Sequence, residues 1–161
     1  MNYVIRQMTE KDIEAVQQVA RKSWHTTYQG IIPMSIQEEF LARAYRKEML
    51  AKRLMFSHLF VAELDGKVVG FANYSPMTEQ GVSELNAIYL LPDYQAMGIG
   101  TALLKAGLEY LKEVNIMYLN VEQDNEIGKR FYERKGFKIV EEFTEDFAGH
   151  KLNTIRMTLY L

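Results

Sequence analysis

The order of hydrophobic and polar positions divides the first part of this chain into a strand and a helix. The short apolar run Tyr3–Gln7 predicts a first strand. Thr9 follows as an N-cap candidate, with acidic residues in the first helical turn. Apolar residues at i, i+3, i+7 and i+11, beginning at Ile13, predict a helix that ends near Trp24 and packs by one face on a sheet.

The next part of the chain predicts helices and then a hairpin. Ser35 begins a sequence with capping-box spacing, and residues 35–54 are amphipathic, which predicts one broken or two short helices. His58–Leu64 and Lys67–Tyr74 are apolar, β-branched runs joined by Asp65-Gly66. An Asp-Gly pair between such runs is a strong hairpin signal, so two antiparallel strands are expected.

A strand–helix–strand unit follows the hairpin. Residues 84–91 are almost continuously apolar, as in a central strand covered on both faces, and Pro92 ends the run. A helical period starts near Gly98, and Ile116–Glu122 again resembles a strand. The right-handed crossover rule predicts that these two strands are parallel.

The remainder of the chain predicts one helix and two strands. Asn125 is placed to cap the helix, and Gly136 is placed to end it in the left-handed conformation. Residues 137–142 and 153–161 predict the last two strands, joined through Gly149-His150. The whole pattern predicts an α/β (α+β) fold with a mixed, mostly antiparallel sheet of about seven strands, flanked by helices.

Composition limits the class of protein. The chain has 161 residues, of which 48% are hydrophobic and 25% charged, so a single domain over residues 1–161 is expected. Lys and Arg number 19 against 21 acidic residues, and this balance argues against nucleic acid as a partner. The N-terminal residues lack a secretory pattern and no run of about eighteen apolar residues occurs, so a cytoplasmic protein with no membrane partner is expected.

The segment between the predicted central strand and the following helix is typical of a phosphate-binding loop. Gly98 and Gly100 allow backbone N–H groups to approach a ligand closely, and the N-terminus of the helix favours negative charge. A P-loop would require Lys after Gly100, where Thr101 stands. A dinucleotide-binding loop would require a third Gly or Ala where Leu103 stands, so that alternative is weak.

The chain resembles the GNAT superfamily of acyl-CoA N-acyltransferases in several features taken together. These are the loop, the apolar strand before it, and Asn125, Phe131-Tyr132 and Gly136-Phe137 after it. The resemblance covers residues 84–137 and implies a GNAT-like fold whose central parallel strands splay apart. It implies acetyl-CoA as co-substrate, with pantetheine between those strands and pyrophosphate on the loop. The implied cofactor-binding residues are Ala87, Ile88, Tyr89, Leu90, Gln95, Ala96, Met97, Gly98, Ile99, Gly100, Thr101, Asn125, Gly128 and Tyr132.

Two residues carry the catalytic roles that the resemblance implies. Transfer from a thioester to a primary amine must remove a proton from the amine and supply one to the departing thiolate. Tyr132 is the implied acid, since a phenol with a pKa of about 10 stays protonated at neutral pH. Glu84 is the implied base, also in contact with the substrate. The alternatives are that Tyr132 packs in the core, and that Glu84 is solvated while water takes the proton.

Several further residues have more than one interpretation. Trp24 and Tyr28 lie in a segment rich in aromatic and hydroxyl side chains, where they either bind the acceptor or close the core. His25 is more typical of a structural or solvated histidine than of a base. Gly128 either admits a bulky ligand or allows tight packing of the helix on the sheet. No spacing of His, Asp and Glu is typical of a metal site, and the sequence has no cysteine.

The sequence therefore predicts an N-acetyltransferase that transfers the acetyl group of acetyl-CoA directly to a primary amine of a small molecule or a peptide. The alternative is a non-catalytic acyl-CoA sensor or interaction module on the same fold. A homodimer is compatible with the resemblance.

Overall fold

A computed structural model describes residues 2–161, so Met1, the first residue of the predicted domain, lies outside the described residues. The described part has seven strands and five helices. The strands are β1 (Tyr3–Gln7), β2 (His58–Leu64), β3 (Lys67–Tyr74), β4 (Val82–Leu90), β5 (Ile116–Glu122), β6 (Lys138–Phe147) and β7 (His150–Tyr160). The helices are α1 (Ile13–Thr27), α2 (Met34–Ala44), α3 (Lys47–Phe56), α4 (Ile99–Tyr110) and α5 (Glu126–Arg134).

All seven strands form one sheet in the order β1-β2-β3-β4-β5-β7-β6. Only β4 and β5 are parallel, and every other neighbouring pair is antiparallel. The predicted mixed, mostly antiparallel sheet and the parallel crossover through α4 are therefore confirmed.

Helices cover both faces of the sheet. On one face Trp24 of α1 lies against Tyr89 of β4, with ring centroids 6.3 Å apart. On the other face the hydroxyl of Tyr74 donates to the carbonyl of Leu103 in α4 at 2.9 Å. The Tyr74 ring occupies the space beside Gly107, where a Cβ would lie only 2.1 Å from it. This close approach seats α4 directly on the centre of the sheet.

The two parallel strands separate halfway along their length, and we call this separation the fork. Residues 82–85 of β4 pair with residues 116–119 of β5, and the pairing ends there. A bulge in the β3–β4 register follows at once, opposite Asn73 and Tyr74. Beyond it, β4 pairs only with β3, while the end of β5 pairs only with β7. The fork therefore leaves the inner edge of β4 open.

Some element boundaries differ from the prediction. The helix α1 continues to Thr27 rather than ending near Trp24, and α2 begins at Met34 without the side-chain cap predicted at Ser35. The last hairpin is longer than residues 137–142 and 153–161. The reason is that β6 is an edge strand with mostly exposed side chains, so its charged residues hide the apolar alternation of a half-buried strand.

The predicted burial of the central strand on both faces is wrong for its second half. The side chains of residues 87–90 are half-buried, because they lie beside the fork. No helix in residues 2–161 combines the length and the apolar character that a membrane span requires.

Candidate active site

A cleft of about 680 Å³ occupies the fork. Its walls are the free half of β4, the end of β5, the C-terminus of α1, the N-terminus of α4 and one face of α5. Twelve of the fourteen predicted cofactor-binding residues line it, and Met97 and Ile99 do not. Nine of the twelve lie in β4, in the following loop or in the first turn of α4: Ala87, Ile88, Tyr89, Leu90, Gln95, Ala96, Gly98, Gly100 and Thr101. Asn125, Gly128, Tyr132 and the predicted acceptor residue Tyr28 line it as well.

The loop that leads into α4 presents unused N–H groups to this cleft. The amide of Ala102 makes the first helical bond, to the carbonyl of Gly98 at 3.0 Å. Within residues 2–161, the backbone N–H groups of residues 96–101 donate to no backbone carbonyl. Positive φ angles at Ala96 (62°) and Gly98 (82°) shape this turn. A run of free amides at a helix N-terminus fits a pyrophosphate, which needs several hydrogen-bond donors.

The open edge of β4 fits an extended chain with amide groups. Because residues 86–90 have no partner on the β5 side, alternate N–H and C=O groups there remain available for hydrogen bonds. Pantetheine carries two amides along an extended arm. The fork can therefore hold such an arm in the position of a missing strand.

Gly100 has a more specific role than the sequence suggested. A Cβ at this position would lie 3.3 Å from Cε1 of Phe131 and 3.7 Å from Cδ1 of Leu90. The glycine therefore lets Phe131 of α5 pack on the first turn of α4. By contrast, a Cβ at Gly98 would have no heavy atom within 4 Å, so the space above Gly98 is free for a ligand.

Asn125 and Gly128 form one unit at the start of α5. The Oδ1 of Asn125 accepts from the amide of Gly128 at 3.0 Å, which confirms the predicted cap. A Cβ at Gly128 would lie 2.7 Å from Nδ2 of Asn125. The glycine therefore makes room for the capping side chain of Asn125.

Ile127 and Phe131 of α5 do not belong to the buried core. Ile127 is 73% exposed. The helix has no fully buried residue, because it borders the cleft instead of covering the sheet. Both side chains line the cleft.

Tyr132 presents a protonated phenol to the cleft. Its ring is fixed between Phe131 and Phe137, with centroid distances of 5.4 and 5.9 Å. Burial raises the pKa of Tyr132, and the nearby Tyr28 phenol adds to this effect. A phenol in this environment stays protonated well above neutral pH and is available as a proton donor.

The acceptor side of the cleft contains a pair of phenols. The hydroxyls of Tyr28 and Tyr89 lie 3.1 Å apart, and burial raises the pKa of Tyr28 to about 12. Trp24 is 6% exposed, stacks on Phe40 at 4.5 Å and does not line the cleft. The structure thus brings Tyr28 to the site and places Trp24 in the core beneath it. His25 is paired with Glu38 at 2.7 Å.

Glu84 lies near the base of the fork but does not line the cleft. Its Oε1 accepts from Nη2 of Arg156 at 2.9 Å, and both side chains are partly exposed. The predicted base is therefore an ion-paired carboxylate. Among residues 2–161, no three His, Asp or Glu side chains are grouped closely enough to hold a metal ion.

Sequence reasoning missed three polar residues around the fork: Asn120, Glu122 and Arg156. Asn120 lines the cleft, and Arg156 of β7 donates a hydrogen bond to Asn120. Glu122 is 8% exposed, and its Oε2 accepts from the amide of Asp124 at 2.6 Å. The alternation of β5 places Asn120 and Glu122 on one face, but only the register with β7 reveals that Arg156 faces Asn120.

The buried carboxyl of Glu122 gives a pH-dependent prediction. Desolvation raises the pKa of Glu122, so the fold favours its neutral form. Burial of the neutral carboxyl therefore contributes its full stability below the pKa of the unfolded state, about 4.3. This contribution is lost as the pH rises through the pKa of the folded state. Glu122→Gln should therefore gain stability relative to wild type as the pH rises from about 4 to about 7. Urea unfolding at several pH values measures this gain.

The matched control is Glu142→Gln on the exposed strand β6. Because its side chain is exposed, this substitution should change the stability little. A stability difference between Glu122→Gln and wild type that does not change with pH would contradict the raised pKa of Glu122.

The sequence of this chain is similar to those of known acetyltransferases. The family model for the acetyltransferase (GNAT) family matches residues 21–137. A spermidine N(1)-acetyltransferase from Thermoplasma acidophilum is 31% identical over 159 residues, covering 94% of this chain and 98% of the relative. An N-alpha-acetyltransferase from Sulfurisphaera tokodaii is 36% identical over 104 residues, covering 55% of this chain and 61% of that protein.

A solved structure extends the comparison to the whole fold. The crystal structure of PaiA N-acetyltransferase from Thermoplasma acidophilum in complex with coenzyme A matches with a TM-score of 0.87 and 28% sequence identity. The match covers all of both chains.

Proposed function

Because this chain belongs to the acetyltransferase (GNAT) family and is an acetyl-CoA-dependent N-acetyltransferase, we propose that its acceptor is an aliphatic polyamine of the spermidine class. The observation that carries the proposal is the similarity to a spermidine N(1)-acetyltransferase across 94% of the chain. The enzyme assignment replaces the alternative of a non-catalytic sensor.

The residues of the cleft have distinct proposed roles in binding acetyl-CoA. The free amides of residues 96–101 bind the pyrophosphate, and the open edge of β4 binds the pantetheine arm. Asn125 holds the first turn of α5 beside that arm. When bound, acetyl-CoA supplies an activated thioester in the fork, next to the hydroxyl of Tyr132.

Transfer is proposed to be direct, since the 161 residues contain no cysteine to carry the acetyl group. The acceptor nitrogen would first bond to the acetyl carbon and lose a proton, and the C–S bond would then break as the sulfur takes the proton of Tyr132. The phenol is then reprotonated from the proton that the nitrogen releases. Glu84 remains the proposed acceptor of the proton that the ammonium form of the amine must first lose.

Charge on the acceptor side supports a cationic substrate. The sheet face that carries Arg156 also carries Glu84, Glu141 directly opposite Arg156, and Glu145. Glu145 accepts from the hydroxyl of Thr154 at 2.9 Å. Carboxylates on this face of the sheet suit an alkyl chain that bears ammonium groups.

A peptide N-terminus is the second candidate acceptor. It is supported by the similarity to an N-alpha-acetyltransferase, which covers 55% of this chain. The shorter coverage makes this the weaker candidate.

A panel of amines incubated with acetyl-CoA and followed by mass spectrometry tests the proposal. Spermidine or a related polyamine should be acetylated with a higher kcat/KM than peptides with free N-termini. Faster acetylation of the peptides would contradict the polyamine proposal and favour the second candidate.

We also propose that the chain acts as one domain in the cytoplasm, with a homodimer as its assembly. The single sheet that includes strands from both ends of the described residues supports the domain proposal. Light scattering at several protein concentrations tests the homodimer.

A further inference from the structure

We infer that Arg156 is a positioning residue, which sets the carboxylate of Glu84 and the amide of Asn120 at the base of the fork. This inference rests on the proposed role of Glu84 as the base. It assigns a function to a residue of β7 that does not itself line the cleft.

The guanidinium of Arg156 joins three strands at one point. From β7 it lies over the ring of Tyr118 in β5, 4.5 Å from the ring centroid. Its Nη2 donates to Oε1 of Glu84 in β4 at 2.9 Å, and its Nη1 donates to Oδ1 of Asn120 in β5 at 3.0 Å. One rigid, planar group therefore fixes a side chain on each wall of the fork.

The location of these contacts gives them functional importance. Glu84 pairs with Tyr118 one residue before the last paired rung, Leu85 with Leu119. Asn120 is the first residue of β5 beyond that rung, and it lines the cleft. Arg156 therefore acts where β4 leaves β5, and a shift of its head group would move both side chains relative to the cleft.

The contact also sets the orientation of the Asn120 amide. Because a guanidinium only donates hydrogen bonds, the Asn120 atom that faces it must be the oxygen. The NH₂ group of Asn120 is therefore not used by Arg156. A lysine at position 156 would carry the charge, but it lacks the planar set of N–H donors that reaches both partners at once.

A double-mutant cycle between Arg156 and Glu84 tests the inference, using single-turnover acetyl transfer to spermidine. If the amine panel identifies another acceptor, that amine replaces spermidine in the double-mutant cycle. The panel thus tests the polyamine proposal, and the cycle tests the role of Arg156. Arg156→Met should lower the rate about 10- to 100-fold with acetyl-CoA affinity unchanged. Arg156→Lys should restore part of the loss.

The decisive result is the coupling between the two positions. In the Glu84→Gln background, Arg156→Met should cause a clearly smaller loss of rate than in wild type, because only the contact with Asn120 remains to be lost. An equal loss in both backgrounds, or a normal rate in Glu84→Gln alone, would overturn the inference. If Arg156→Met does not fold, the same comparison between Arg156→Lys and Glu84→Gln decides the question.

Arg6→Met is the matched control. Arg6 also joins two carboxylates, Asp12 and Glu63, but it lies outside the cleft lining. Its replacement should lower the melting temperature without changing the rate of transfer. A rate loss in Arg6→Met as large as that in Arg156→Met would show a merely structural effect and contradict the inference.

Discussion

Replacing Tyr132 with phenylalanine should lower the rate of acetyl transfer about 10²- to 10⁴-fold, the usual contribution of a general acid. The substitution keeps the ring that packs between Phe131 and Phe137 and removes only the hydroxyl. The buried environment keeps that hydroxyl protonated, so its loss removes the proposed proton donor for the departing sulfur. Acetyl-CoA affinity and stability should change little.

Single-turnover kinetics measure this loss without interference from product release. Tyr110→Phe is the matched control, because Tyr110 is 50% exposed and lies outside the cleft lining. A normal rate in Tyr132→Phe would remove Tyr132 from the mechanism and favour water as the proton donor. Loss of folding in Tyr132→Phe would favour the structural interpretation of this tyrosine.

Gly98→Val should weaken acetyl-CoA binding by about tenfold or more. Gly98 has a φ of 82°, a left-handed conformation that costs a β-branched residue roughly 1–2 kcal/mol. The new side chain would either occupy the free space above the loop or force the loop to rotate its amides away from the ligand. Isothermal titration with acetyl-CoA measures the change.

Gly66→Val separates backbone strain from loss of the binding loop. Gly66 has a φ of 81° and, like Gly98, no heavy atom within 4 Å of its Cβ position. It lies in the β2–β3 turn, outside the cleft lining. Both variants should lose similar stability, and only Gly98→Val should lose affinity. Unchanged affinity in Gly98→Val would require the pyrophosphate site to be placed elsewhere.

Local signals in the sequence were sufficient for much of the fold. The Asp65-Gly66 turn, the crossover through α4 and the cap at Asn125 each depend on neighbouring residues, and each is confirmed. The sequence could also indicate a candidate phosphate-binding loop, because its glycines and the helix N-terminus are adjacent in the chain.

Contacts between distant residues were not predictable in this way. Arg156 and Glu84 are 72 positions apart and meet only through the register of three strands. The choice between core and cleft for Trp24 depended on where Phe40 and Phe147 pack. The packing of Phe131 of α5 against the Cβ position of Gly100 likewise joins residues on two helices. A single sequence contains no local pattern for such pairs.

A crystal structure of this protein with coenzyme A tests the central claim, which is that the fork holds acetyl-CoA. The account predicts pyrophosphate oxygens within hydrogen-bonding distance of the amides of residues 96–101. It also predicts the pantetheine arm along the open edge of β4, with its sulfur beside the hydroxyl of Tyr132. Coenzyme A bound outside the fork, or a sulfur remote from Tyr132, would contradict it.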